Sequence, residues 1–590
     1  MSDYLKLIKQ HSGDLYKLNK KHNLVSFLRL ITIIILIFLV YKSIQTNDII
    51  FVLFGLFVFI CFILLLKIHE KISWNKKIKK HLISINKDEI IYLNKEEIPF
   101  EDGVEYIDVK HFYSFDLDLF GKNSLYQNLN RTATYIGSEK LSQLLLKLLK
   151  KKEIQSNQQA INELCKKIEW RQYLLSLAKI TRDSKDDYQK IIDWSKAKQG
   201  KIPRSLNIIS LINPIVFIVL IITTILTSDS FFIYLASTFF LINLALVATQ
   251  LRKIKREIID SRENSDIIKQ YGLIIETIEN EKFESQKLNM LKEKLIHKSG
   301  SVSSHIKKLS SLFSNMESIQ NILAAILFNG AFLYHIHILN NLLKWKKEYS
   351  KHLEEWLGII GEFETLNSLA NFSYNNPTFT FPDLNKNHEI VFNELGHPLI
   401  QKEIRVCNDV VFKEKNLIIL TGSNMSGKST FLRTLGINMV LAGIGSPVCS
   451  SKANVHPLNV IVSMRQTDSL NDGESYFFAE VKRLKKIMDK LQSEICFVLL
   501  DEVLKGTNSD DKQTGTIEVI KKIISKNAIG SIATHDLEIC KTTNEYPKKL
   551  INKCFEVKII NNDLSFDYKL KDGICKNKSA TFIMKKMEII

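Results

Sequence analysis

The sequence predicts a multidomain chain: an α/β P-loop (ABC-like) domain at the C-terminus, a mostly α-helical region ahead of it, and two transmembrane helical hairpins. Three observations carry this. Gly422-Ser-Asn-Met-Ser-Gly-Lys-Ser429 fits the phosphate-cradling pattern G-x-x-x-x-G-K-S/T, with an apolar run before it and a helical run after it. A second apolar run, Cys496-Phe-Val-Leu-Leu-Asp-Glu502, ends in two acids. Four long apolar stretches carry most of their flanking lysine and arginine on one side of each pair.

Residues 1–23 are polar and basic and read as a cytoplasmic N-terminal segment. Residues 24–41 are apolar apart from Ser26, Arg29 and Thr32, and residues 49–66 are apolar or glycine throughout. Each run is near the length of a membrane helix, so 24–67 reads as a first hairpin. The apolar core starts too late for a cleaved signal peptide, and a second span follows at once. Residues 206–251 read as a second hairpin, in which Pro214 is tolerable because neighbouring helices can satisfy the freed backbone groups. Lys20, Lys21, Lys67 and Lys71 flank the first hairpin; Lys201, Arg204, Arg252 and Lys253 flank the second. Both hairpins are therefore expected to begin and end in the cytoplasm, giving four spans in the cytoplasmic membrane.

Residues 68–205 read as a soluble, amphipathic helical segment and 252–383 as a long helical region. In the latter, Trp345, Tyr349, Leu353, Trp356, Ile360, Phe363 and Leu366 recur at helical spacing. Residues 322–339 are apolar enough to tempt a fifth span. Asn329, His335 and His337 interrupt them, and an even number of spans keeps the C-terminal domain cytoplasmic; they are expected as a buried helix.

Residues 384–590 form the P-loop domain. Gly422 and Gly427 let the backbone curl so that N–H groups along Ser423, Asn424, Met425, Ser426 and Thr430 point at phosphate oxygens. Lys428 would reach the β- and γ-phosphates of ATP, and the Ser429 hydroxyl would hold Mg²⁺. Asp501 would complete the metal shell, and Glu502 would polarise the attacking water. A third strand, Ile529-Gly-Ser-Ile-Ala-Thr-His535, ends in a histidine placed to sense the γ-phosphate. Two alternating runs about Asn561-Asn-Asp563 close the domain as a hairpin.

These residues resemble a known family. Thr421-Gly-Ser-Asn-Met-Ser-Gly-Lys-Ser-Thr430, Asp501-Glu-Val-Leu-Lys-Gly-Thr-Asn508 and Ala533-Thr-His-Asp536 look like the ATPase domain of MutS proteins, the DNA mismatch-repair clamps. Gly396-His-Pro398 and Ile444-Gly-Ser446 agree. Asp472-Gly-Glu-Ser-Tyr-Phe477 looks like the family's signature loop; the resemblance implies that Ser475 reaches the nucleotide of the opposite subunit in a homodimer. It also implies that Ser124-Leu-Tyr-Gln-Asn-Leu-Asn-Arg-Thr-Ala-Thr134 begins the family's core and that 252–383 forms lever and clamp. The sequence departs from the family at Ser426, Leu504-Lys505 and Tyr476, none of which removes a group the chemistry needs. The family's mismatch reader carries a Phe-x-Glu; Phe363-Glu364 lacks the intervening residue, and a membrane hairpin stands where the reader would be.

The net charge of +18 and pI of about 9.2 fit a nucleic-acid or anionic-lipid partner, and equally a lysine- and isoleucine-rich composition set by base bias. Lys292, Lys294, Lys298, Lys307 and Lys308 are candidates for DNA phosphate contacts. The eight cysteines show no C-x-x-C, which points away from a zinc site or a disulfide framework and toward reduced thiols. The expected function is that of a membrane-anchored, MutS-like ATPase clamp on DNA. The alternatives are an ABC-type transporter or membrane-complex regulator, for which no Leu-Ser-Gly-Gly-Gln precedes Asp501, and a clamp acting on RNA or protein.

Overall fold

The computed structural model describes the chain except residues 47, 199, 258–261, 298–299, 415, 466–475, 506, 561–562, 576–583, 585–587 and 590. Each predicted apolar run of the first hairpin lies in the second half or at the start of a much longer helix. Ser2–Thr46 and Ile49–Asn94 pack along one another, each about 68 Å long at 1.5 Å per residue. Asp48 caps the second, accepting from Ile50 N at 3.0 Å. Near the turn the side chains are apolar and exposed, as at Phe38, Phe54 and Phe57. Toward the other end Ile78 and Leu82 join the main core, and Ile85 is buried. There Glu89 is buried against Arg131 and accepts from Asn371 Nδ2 and Asn375 Nδ2, both at 2.9 Å. A buried carboxylate with this many donors fixes the hairpin to the helical body.

The second hairpin is Arg204–Thr227 and Ser230–Glu257. Its base is tied down by Glu257, which takes Trp194 Nε1 at 3.1 Å and Lys346 Nζ at 3.2 Å. Among the described residues four helices are long and apolar enough to cross a membrane, or five if one bent pair is a single span.

That bent pair corrects the expectation for residues 322–339. They are not one buried helix. Ile322–Phe332 and Tyr334–Tyr349 are separate helices, the break lying at Leu333 with φ of 51°, and the pair that begins with them is bent by 84°. The second is largely buried; the first exposes most of its large apolar side chains. Apolar content marks a helix that avoids water and does not say whether protein covers it.

The helical body is organised around Leu353–Asn375. Tyr135–Leu145 crosses it closely because glycines sit on both sides: a Cβ on Gly361 would lie 2.7 Å from Ile136 O, and one on Gly137 would meet the Glu364 carboxylate. Glu364 is buried and accepts from Ala133 N at 3.0 Å, Thr134 N at 3.3 Å and the Thr134 hydroxyl. The segment Asn130-Arg-Thr-Ala-Thr134 thus caps its helix at Thr134 while anchored to the neighbouring helix.

The C-terminal domain is built on a six-stranded sheet. In spatial order its strands are Asp563–Asp572, Leu550–Ile560, Leu417–Gly422, Ile529–Ala533, Cys496–Asp501 and Asn459–Ser463. Only the first pair is antiparallel. A second, four-stranded sheet contains Ile390–Leu395 and Asn408–Phe412.

Candidate nucleotide site

Register brings the site together. Ala533 pairs with Leu420 on one side and Asp501 on the other, so the P-loop, the acid pair and His535 leave the sheet side by side at its carboxyl edge. The strands themselves are buried and mostly apolar, so the charged side chains gather at that edge.

The loop runs from the strand Leu417–Gly422 to the helix Lys428–Ile444. Gly427 caps that helix with φ of 100°, a conformation that excludes side chains, and a Cβ there would lie 3.1 Å from the Tyr568 ring. Asn424, Met425, Ser429 and Thr430 are exposed; Ser423 and Ser426 are buried, and neither hydroxyl has a hydrogen-bond partner among the described residues. Lys428 is buried; its Nζ donates to Gly422 O at 2.9 Å and Ser423 O at 3.1 Å and lies 3.1 Å from His535 Nε2. Burial lowers its pKa, against the pull of Asp501 and Glu502.

Ser429 Oγ donates to Asp501 Oδ2 at 2.6 Å. Glu502 follows with φ of 52°, which turns its side chain toward His535: Oε1 lies 2.9 Å from Nε2, and Lys505 Nζ lies 3.7 Å from Oε2. The His535 hydrogen bond, outweighing burial, holds the Glu502 carboxyl at about 2, so it is ionised at neutral pH.

A cavity of about 450 Å³ opens over the loop, lined also by His397, Ile400, Ile404, Val406, Phe431 and Tyr568. The His397 turn is held by Asn438 of the P-loop helix, whose side chain donates to Gly396 O at 3.1 Å and accepts from Cys449 N at 2.8 Å. Burial first, then Arg433 and Arg405, lowers His397 to about 4, leaving it neutral. The sequence pointed to His397 only by resemblance and gave no sign of the apolar lining, which comes from three separate segments.

Two further positioning groups escaped the sequence reading. Glu480 accepts from Leu504 N at 2.6 Å and Lys505 N at 3.1 Å, bracing the turn after Glu502. Asp116, buried, accepts from Met464 N and Arg465 N, both at 2.8 Å, and pairs with Arg483 at 2.5 Å. The Asp472–Phe477 motif is only partly described: Ser475 lies outside the described residues, as do Gly506 and the Asn561-Asn562 turn. Of the candidate lysines, Lys294 pairs with Glu355 at 3.2 Å, Lys307 with Glu276 at 2.5 Å, and Lys292 donates to Glu281 O at 2.6 Å. Lys308 is exposed, and Lys298 lies outside the described residues.

Residues 418–589 match the family model of MutS domain V. The C-terminal domain belongs to the MutS family. Among curated relatives, the DNA mismatch repair protein MutS of Thermotoga neapolitana is 32% identical over 240 residues, covering 39% of this chain and 29% of that protein. The MutS of Clostridium perfringens is 32% identical over 225 residues, covering 36% and 24%. That of Clostridium botulinum strain Okra is 30% identical over 237 residues, covering 38% and 25%. The chain thus matches less than a third of the length of these relatives, and the match falls on the MutS-type domain.

Proposed function

We propose that the chain is a membrane-anchored, Mg²⁺-dependent ATP hydrolase of the MutS kind, working as a homodimeric clamp on DNA. The supporting observation is the meeting of Lys428, Ser429, Asp501, Glu502 and His535, linked by contacts of 2.6 to 3.1 Å. The loop fits a phosphate chain: Gly422 and Gly427 keep the cradle open, and two buried serine hydroxyls have no described partner. ATP, as substrate, would lie with its phosphates against 422–430 and its base toward Ile400, Ile404, Val406 and Phe431. Mg²⁺, held by Ser429 and Asp501, would neutralise charge on the β- and γ-phosphates. Lys428 would exchange its carbonyl partners for phosphate oxygens. Ionised Glu502 would orient the water and accept its proton, and His535 keeps that carboxylate aimed and charged. Ser475 would complete the site of the opposite subunit.

The exposed apolar lengths of the four long helices, with basic residues at their inner ends, support a multi-pass protein of the cytoplasmic membrane whose ATPase domain is cytoplasmic. DNA as partner rests on the names of the relatives. Recognition would be of shape and backbone rather than of a mispaired base, since no Phe-x-Glu reader stands in a matching position. A clamp on protein or RNA is the second reading. Its protein form is favoured by Lys292, Lys294 and Lys307, which are engaged by the chain's own groups rather than left for a phosphate backbone.

ATP turnover of the full-length protein in detergent, measured at fixed salt with homoduplex, mismatched, branched and single-stranded DNA, tests the DNA reading. A structure-dependent change in turnover is expected. Healthy turnover indifferent to every DNA would move the partner to protein or RNA.

A further inference from the structure

The helix Ile322–Phe332 is built inside-out. Its polar side faces protein. Asn329 is buried and its Oδ1 accepts from His335 N at 3.0 Å. Gly330 packs on Phe240 of the second hairpin so closely that a Cβ would collide with the ring, and Gly330 O accepts from Asn243 Nδ2 at 2.8 Å. Asn243 Oδ1 in turn takes Asn213 Nδ2 at 2.8 Å, so one fully buried amide joins both hairpin helices to this third one. Its outer side is Ile322, Leu323, Ile326, Leu327, Phe328 and Phe332, all exposed, and the helix carries no charge. Water-soluble helices place polar groups outward; the reverse arrangement belongs to hydrocarbon.

Position agrees with surface. Asn243 precedes Arg252 by two and a half turns, which sets the contact about 13 Å inward from the basic end of the hairpin. His337, in the next helix, meets Ser210 O at 2.8 Å, nearer that end. The helix itself is about 16 Å long, half of a hydrocarbon core of about 30 Å, so it cannot span. Leu333, in the left-handed conformation, turns the chain back into Tyr334–Tyr349, whose last turn carries Lys346 and Lys347. The segment therefore enters and leaves on one side, and the four-span topology keeps its parity.

We propose that Ile322–Phe332 is a re-entrant half-helix seated among lipid acyl chains beside the second hairpin. This rests on the membrane reading above. It gives the helical body a second mooring, because Tyr334–Tyr349 leads through a single turn into Leu353–Asn375, the helix that holds Thr134 through Glu364.

The full-length protein, reconstituted in phosphatidylcholine–phosphatidylglycerol vesicles doped with a phospholipid bearing an acyl-chain diazirine, is photolysed and its labelled peptides mapped by mass spectrometry. Label is expected on the second hairpin and, as strongly, on 322–332, with none at Val411, an exposed apolar residue of the ATPase domain. Label on the hairpin with none on 322–332 would overturn the half-helix and leave the membrane reading standing. Label on neither would overturn both.

Discussion

His535 Nε2 lies 2.9 Å from Glu502 Oε1, and the same nitrogen lies 3.1 Å from Lys428 Nζ. One ring nitrogen cannot donate to the carboxylate and accept from the ammonium at once. Drawing Lys428 to a phosphate frees Nε2 to donate to Glu502. In the proposed function, His535 would tie phosphate binding to the readiness of Glu502 as the base.

Replacing His535 with Ala is expected to lower turnover roughly 10- to 100-fold, the size of a hydrogen bond to a charged group. The pH profile should also move. With its chief depressing contact gone, Glu502 rises from about 2 toward its ordinary 4.5. The variant then loses its base as pH falls through 5 to 4, while the parent keeps Glu502 ionised across that window. Turnover measured from pH 8 to 4.5 in both proteins checks this.

Asp116 carries one of the contacts between the helical body and the MutS-type domain. Asp116→Ala leaves two backbone N–H groups without their acceptor and Arg483 with Val462 O in place of a carboxylate, and a loss of about 3 kcal/mol is expected for breaking such a pair. Asp116→Asn keeps an acceptor and should cost less. Thermal unfolding of the full-length protein in detergent reads both.

Glu364 gives stability a pH dependence of a definite sign. Burial raises it from 4.5 to about 7 in the folded chain. Between those values the unfolded chain has released a proton that the folded chain still holds, so the contribution of Glu364 to stability is full below about 4.5 and is lost as pH rises through about 7. The full difference is about 3 kcal/mol. Denaturant midpoints across this range should fall in the parent and stay flatter in Glu364→Gln.

Gly361→Ala should drive the helix Leu353–Asn375 away from Ile136 O and cost about 1–3 kcal/mol, as overpacking does. Gly358→Ala, on the same helix with open space around it, is the control and should be neutral or slightly stabilising. Melting temperatures of the two variants separate the effects.

The meeting of the candidate site segments at one sheet edge was legible because each part is a local pattern: a mostly apolar strand running into Gly422, Asp501-Glu502 or Thr534-His535. The apolar runs of the hairpins were legible for the same reason. Asp116 was not, because its partners at Met464, Arg465 and Arg483 are more than three hundred residues away and nothing in Ser114–Gly121 announces them. The break at Leu333 was also hidden. Leucine does not favour a positive φ, so packing against the hairpin imposes the turn that the local sequence argues against.

The most direct measurement is Mg²⁺-dependent ATP turnover by the full-length protein beside Lys428→Ala and Glu502→Gln, with nucleotide binding followed in parallel. Turnover in the parent is expected, with Glu502→Gln still binding ATP but slowed about 10²- to 10⁴-fold, the contribution of a positioned base, and Lys428→Ala impaired in both. Unchanged turnover in both variants would contradict the assignment of this site.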